Sequence, residues 1–168
     1  DTLSISTPLP LLALKAHEMY RAGAPIEEVA QWLEDNKMRA QAWFMVDDLK
    51  YLKRGGRISP TAAAFGTMLD IKPIITEARD GTLQSVDKVR GRKKALNKLV
   101  DRLGGDEPDP AESMAIILHA DALEEAEALA LKKIPELQIR IDNVGPVIGA
   151  HCGPGTLAIT FLGKERKI

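Results

Sequence analysis

VDDLKYLKRGGRISPTAAAFGTML, from Val46 to Leu69, changes character at its midpoint. Its first half sets Lys50, Lys53, Arg54 and Arg57 around a Gly55-Gly56 pair. Its second half opens with Ser59-Pro60 and continues as a helix that is apolar on nearly every side. Ser59 suits an N-cap and Pro60 the first helical position. The amides at such a helix start are unpaired and carry partial positive charge. A guanidinium brought there by a flexible di-glycine would complete an anion seat. The same arginine could equally cap carbonyls in a tight turn, and these residues alone favour neither.

Upstream, residues 1–6 (DTLSIS) read as a short strand ended by Thr7-Pro8. Leu12, Ala16, Met19, Tyr20 and Gly23 then share one helical face, and Ile26, Val29, Ala30 and Leu33 stripe a second helix that Pro25 starts. Trp43–Val46 is an apolar strand leading into the opening stretch. Asp47 and Asp48 could serve a metal or acid–base chemistry, but an acid pair before LKYL more often caps a helix.

Downstream, Lys72–Glu77 and Thr82–Val89 flank Asp80-Gly81, a strong hairpin signal. VRGRKKALNKLV follows with a helical stripe of Leu96, Leu99, Val100 and Leu103. Arg90, Arg92, Lys93 and Lys94 crowd its N-terminal end, where cations oppose the helix dipole. The cluster therefore reads as a seat for an anionic ligand or partner, or else as a solvated basic face. Gly104–Glu112 is linker-like. Met114–His119 is a strand covered on both faces, Asp121 and Glu124 open a helix over Leu123–Ile134, and Leu137–Asp142 alternates as a half-wet strand. Thr156–Leu162 is a last strand, and Lys164–Lys167 a charged end. The expected fold class is α/β, a mixed sheet layered with helices.

A net charge of −1 over 168 residues leaves no global field toward nucleic acid or anionic lipid. One cysteine, Cys152, excludes an intrachain disulfide and suits a reducing, cytoplasmic setting. No apolar run reaches the roughly 20 residues that span a bilayer. His17, His119, His151 and Cys152 lack metal-ligand spacing, so neither metal nor cofactor is expected. No nucleotide-binding or nucleophile-elbow motif is present. His151 sits in GPVIGAHCGPG, where Gly149, Gly153 and Gly155 allow close backbone approach. It reads as a loop histidine, either satisfied within a turn or donating to a carboxylate or phosphate.

VDDLKYLKRGGRIS, IKPIIT, VDKVRGRKKAL, HADA and GPVIGAHCGPGTLAI, in this order, resemble the DegV family. Its members are two-domain bacterial lipid carriers that hold one long-chain fatty acid. Several act as the acyl-binding subunit of a two-component fatty acid kinase. The resemblance implies that residues 1–43 are the end of a first domain whose upstream part is missing, and that 44–168 form the second domain. It implies a binding protein rather than an enzyme, with the carboxylate near His151 and Arg57. Arg90 and Arg92 would face the kinase or the phosphate, and Ala63, Phe65, Met68, Leu69 and Ile148 would wall the tail. The family's head-group Thr and Ser belong to first-domain blocks that cannot be found here. Two other readings stay open from the residues: an α/β enzyme seating a substrate phosphate on Arg57, Arg90 and His151, and a regulatory domain with a basic docking face.

Overall fold

Two antiparallel hairpin strands, two central strands and a parallel crossover pair share a single mixed sheet. The computed structural model describes residues 1–58, 70–104, 114–130 and 138–167. The strands are β1 (Ala40–Met45), β2 (Ile71–Glu77), β3 (Leu83–Arg90), β4 (Met114–His119), β5 (Gln138–Asn143) and β6 (Leu157–Leu162). Their order is β3-β2-β1-β6-β4-β5, antiparallel throughout except for β4 and β5. The expected α/β layering and the hairpin at Asp80-Gly81 are both present. Gly81 has φ +82 and the Ala78 amide donates to the Thr82 carbonyl at 2.8 Å, closing the turn. The six described α-helices are α1 (Pro8–Arg21), α2 (Ile26–Asn36), α3 (Lys50–Arg54), α4 (Arg92–Gly104), α5 (Leu123–Ala130) and α6 (Pro146–Cys152).

Side chains alternate across each strand, so the two sheet faces have different fates. One is closed: Trp43, Met45, Ile117, Ile159 and Phe161 pack under Ala95, Leu99 and Val100 of α4 and Ala126 and Leu129 of α5. Among the described residues the other is covered at its ends. Leu11 and Leu12 of α1 pack there on Ala40, Leu118 and Leu162, while Leu52 of α3 and Cys152 of α6 pack on Val46 and Ile75. Since β1 starts at Ala40, a boundary at residue 43 falls inside a strand.

Several local expectations give way to long-range contacts. Residues 1–6 form no strand; they cross the sheet as a strap held by side chains. Glu77 accepts from Ser4 Oγ at 2.8 Å and from the Ile5 amide at 3.0 Å. Arg166 donates to the carbonyls of Leu3, Ala40 and Ala78 at 2.6, 3.0 and 3.3 Å, and lies 3.6 Å from Glu77. Both side chains are almost fully buried, so Arg166 is no solvated terminal charge. Burial pushes the Glu77 carboxyl above its usual range, against the hydrogen bonds and Arg166. Tyr20 and Ile26, expected on buried stripes, are exposed. The Ser59-Pro60 helix start, Ala63, Phe65, Met68, Leu69, Ile134, Leu137 and the linker beyond Gly104 lie outside the described residues.

Candidate functional site

The half-covered sheet face leaves a cleft of about 640 Å³ between α1 at one end and α3 with α6 at the other. Its floor is Ala42 and Phe44 of β1, Leu118 of β4, and Ala158 and Thr160 of β6. Ala42 pairs with Thr160 and Phe44 with Ala158, which sets these side chains on one face. The Thr160 hydroxyl is spent on the Ile116 carbonyl at 3.2 Å, so the floor is effectively apolar. Ile148, His151 and Cys152 of α6, Leu52, and Arg57 just past α3 form one wall, and the strap of residues 3–7 forms another.

GPVIGAHCG is a helix, not the expected loop. Pro146 takes the first turn, and Gly153 at φ +79 ends it. That helix docks on α3 through two glycine–ring contacts. A Cβ placed on Gly55 would clash with the His151 imidazole, 2.9 Å from Cε1 and 3.1 Å from Cγ, with Nδ1 nearer still. A Cβ on Gly153 would lie 2.6 Å from Tyr51 Cε2. The two blocks that the sequence separates by nearly a hundred residues thus meet at one seam. His151 and Arg57 both line the cleft from it. His151 Nδ1 is buried and has no hydrogen-bond partner among the described residues. Arg57 does cap a carbonyl, donating from Nη1 to the Gly55 oxygen at 2.6 Å, while still lining the cleft.

Arg90 and Arg92 part company. Arg90 is exposed at the end of β3, paired in register with Ile71, and does not line the cleft. Arg92 is half-buried and clamped by acids: Nε donates to both oxygens of Glu125 at 2.8 and 3.0 Å, and Nη1 to Asp47 at 3.2 Å. Asp47 also meets Lys72 Nζ at 2.7 Å. These carboxylates, invisible in the local sequence, offset the cation at the start of α4. Asp48 caps as expected, accepting from the Lys50 amide at 2.8 Å. The Arg92 hydrogen bond holds the Glu125 carboxyl below its usual range. Burial raises the Asp47 carboxyl, yet Lys72 and Arg92 bring it below its usual range overall. An acid with a depressed folded-state pKa contributes stability above its unfolded value, and that contribution is lost as pH falls through the folded one. Arg92→Ala should therefore flatten the acid limb of the stability–pH curve below about pH 4. Denaturant melts from pH 3 to 7 read this directly; an unchanged limb means the brace contributes nothing.

With the geometry in place, the chain can be compared with known proteins. A model of the family described as "Uncharacterised protein, DegV family" matches residues 1–164. This chain belongs to the DegV family. A DegV domain-containing protein of Clostridium perfringens is 42% identical over 170 residues, covering 99% of this chain and 58% of the relative. The crystal structure of a DegV lipid binding protein from Thermotoga maritima superposes with a TM-score of 0.81 at 35% identity, over 99% of this chain and 59% of that one. Another Thermotoga maritima protein, whose structure is described as revealing fatty acid binding function, gives 0.78 at 34% identity over 95% and 56%. The DegV chain thus spans a little under three-fifths of the length of these relatives.

In this DegV fold the sequence reading missed the cleft floor. The signal was available: Ala42 and Ala158 are small residues on one face of strands whose other face carries Trp43, Met45, Ile159 and Phe161. His119 holds the end of β4, accepting from the Ala122 amide at Nδ1. Burial pushes the Cys152 thiol up, which opposes a nucleophilic role. Among the described residues no group of three or more His, Cys, Asp or Glu could hold a metal, and no helix is long and apolar enough to cross a membrane.

Proposed function

We propose that this chain carries part of a long-chain fatty acid site, with the acyl tail on the cleft floor and the carboxylate at His151 and Arg57. With the boundary at residue 43 moved back to the start of β1, the chain from Ala40 onward serves as the second domain of a two-domain carrier, and the residues before it as the end of the first. The carrier works in the cytoplasm, presents the carboxylate to a separate kinase and does no chemistry itself. Arg90, exposed and unclamped by Asp47 or Glu125, is the better placed of the two basic candidates for that partner.

One observation carries the reading: an open apolar floor that ends at an imidazole and a guanidinium. Each methylene buried there is worth roughly 0.8 kcal/mol, so a long tail binds with few polar contacts. A guanidinium has five N–H donors, and the bond to the Gly55 carbonyl leaves capacity for a carboxylate. The DegV relatives described as binding lipid and fatty acid support the same assignment. A phosphate seat made of Arg57, Arg90 and His151 has less support, because Arg90 does not line the cleft.

The test is solvent extraction and native mass spectrometry of the full protein purified from cells grown on oleate. Stoichiometric fatty acid is expected. Protein recovered only in the unliganded form under those conditions would overturn the assignment.

A further inference from the structure

The two glycines of KRGGR stand side by side for different reasons. Gly56 has φ +69 and open space where a Cβ would go, so its backbone requires glycine. Gly55 has φ −77 and ψ −3, an ordinary right-handed helical conformation that alanine adopts readily. What Gly55 lacks is room, because the His151 imidazole occupies the space of its side chain. At this C-cap the negative φ gives glycine none of the left-handed advantage it has at many helix ends.

Gly55 also touches the second head-group candidate. Its carbonyl accepts Arg57 Nη1 at 2.6 Å. One residue therefore backs the imidazole with its α-carbon and tethers the guanidinium with its oxygen. The edge of the ring turned to Gly55 is the Nδ1 edge, and Nδ1 is buried without a partner among the described residues. A proton on Nδ1 would be a buried donor with no acceptor, whereas a proton on Nε2 can be spent on a ligand.

We infer that Gly55 is a positioning residue for the fatty acid carboxylate, seating His151 with its proton on Nε2 and fixing the guanidinium of Arg57 relative to it. This rests on the fatty acid assignment, which it deepens by naming what orients the two groups. A side chain at 55 and a ring at 151 exclude each other.

The experiment is a double-mutant cycle on the full protein with Gly55→Ala, His151→Ala and the combination. Thermal stability, oleate affinity and the ¹⁵N resonances of the His151 ring are measured for each. Gly55→Ala is expected to lower the melting temperature, and the combined variant to recover most of that loss, since the new methyl fills the space the ring leaves. Oleate affinity should fall about tenfold in Gly55→Ala through loss of a charge-assisted hydrogen bond. It should fall no further when His151→Ala is added. Nitrogen shifts should show Nε2 protonated in the parent and a changed ratio in Gly55→Ala. Strictly additive losses of stability, or Gly55→Ala binding oleate as the parent does, would overturn the inference. If the parent itself binds no oleate, the fatty acid assignment fails, while the stability cycle still decides whether residues 55 and 151 are coupled.

Discussion

Arg166→Ala is expected to destabilise the fold by about 3–5 kcal/mol, the range for breaking a buried ion pair from one side. The guanidinium is almost wholly buried and donates to the carbonyls of Leu3, Ala40 and Ala78. Removing it takes a donor from all three carbonyls, of which Ala78 still accepts the Gly81 amide at 3.0 Å, and leaves Glu77, itself 3% exposed, without its cation. The strap of residues 3–5 then hangs on Glu77 alone, and with it one wall of the cleft. The pH dependence has a definite sign. Burial already raises the Glu77 carboxyl above its ordinary value. An acid raised in this way stabilises the fold when protonated, fully below its unfolded pKa, and the contribution is lost as pH rises through the folded one. Without Arg166 that pKa rises further, so the deficit of the variant should be largest near neutrality and shrink on acidification. Replacing both partners with Glu77→Gln and Arg166→Met should recover the part of the loss that comes from the uncompensated charge, because Gln is neutral, while the Leu3 and Ala40 carbonyls still lack the guanidinium. Urea melts of the parent and the two variants at pH 5 and 7.5 decide it, and a neutral-pH midpoint of Arg166→Ala equal to the parent's would show that the pair holds nothing together.

Arg166 also shows where sequence reading stops. Elements announced by local chemistry were legible: the Asp80-Gly81 hairpin, the apolar run Met114–His119, the Leu96–Leu99–Val100 stripe and the cap at Asp48. Each is encoded within a few residues of itself. What stayed hidden was encoded across the chain. Residues 1–6 alternate like a strand, but their partners are side chains at 77 and 166, and no ladder is available to them. Arg92 looked misplaced at a helix start because Asp47 and Glu125 lie 45 and 33 positions away. GPVIGAHCG read as a loop for its glycines, although Pro146 and Gly153 bracket a seven-residue helix. Of the site itself, the pairing of His151 with Arg57 at one cleft came from the family resemblance. The seam that brings them together, Gly55 against the imidazole, depends on a contact that no local pattern encodes.

Ala158→Phe should reduce oleate affinity by a few hundredfold while leaving the fold intact. Ala158 lies on the cleft floor, opposite Phe44 in register and beside Leu118. It is only partly buried, so a benzyl group there grows into open cleft rather than into packed atoms. Such a ring would deny space to roughly four methylenes, and at roughly 0.8 kcal/mol each the loss is about 3 kcal/mol. Next to it, Ile159 is fully buried on the other face among Trp43, Ile117 and the helices α4 and α5. Ile159→Ala should cost about 2–5 kcal/mol of stability through cavity formation and leave the cleft lining untouched. Two adjacent residues therefore separate binding from folding, because strand alternation sends them to opposite faces. Calorimetric titration with oleate and thermal melts of both variants test the pair. Undiminished oleate binding by Ala158→Phe would mean that the tail does not lie on this floor, whatever the head group does at His151.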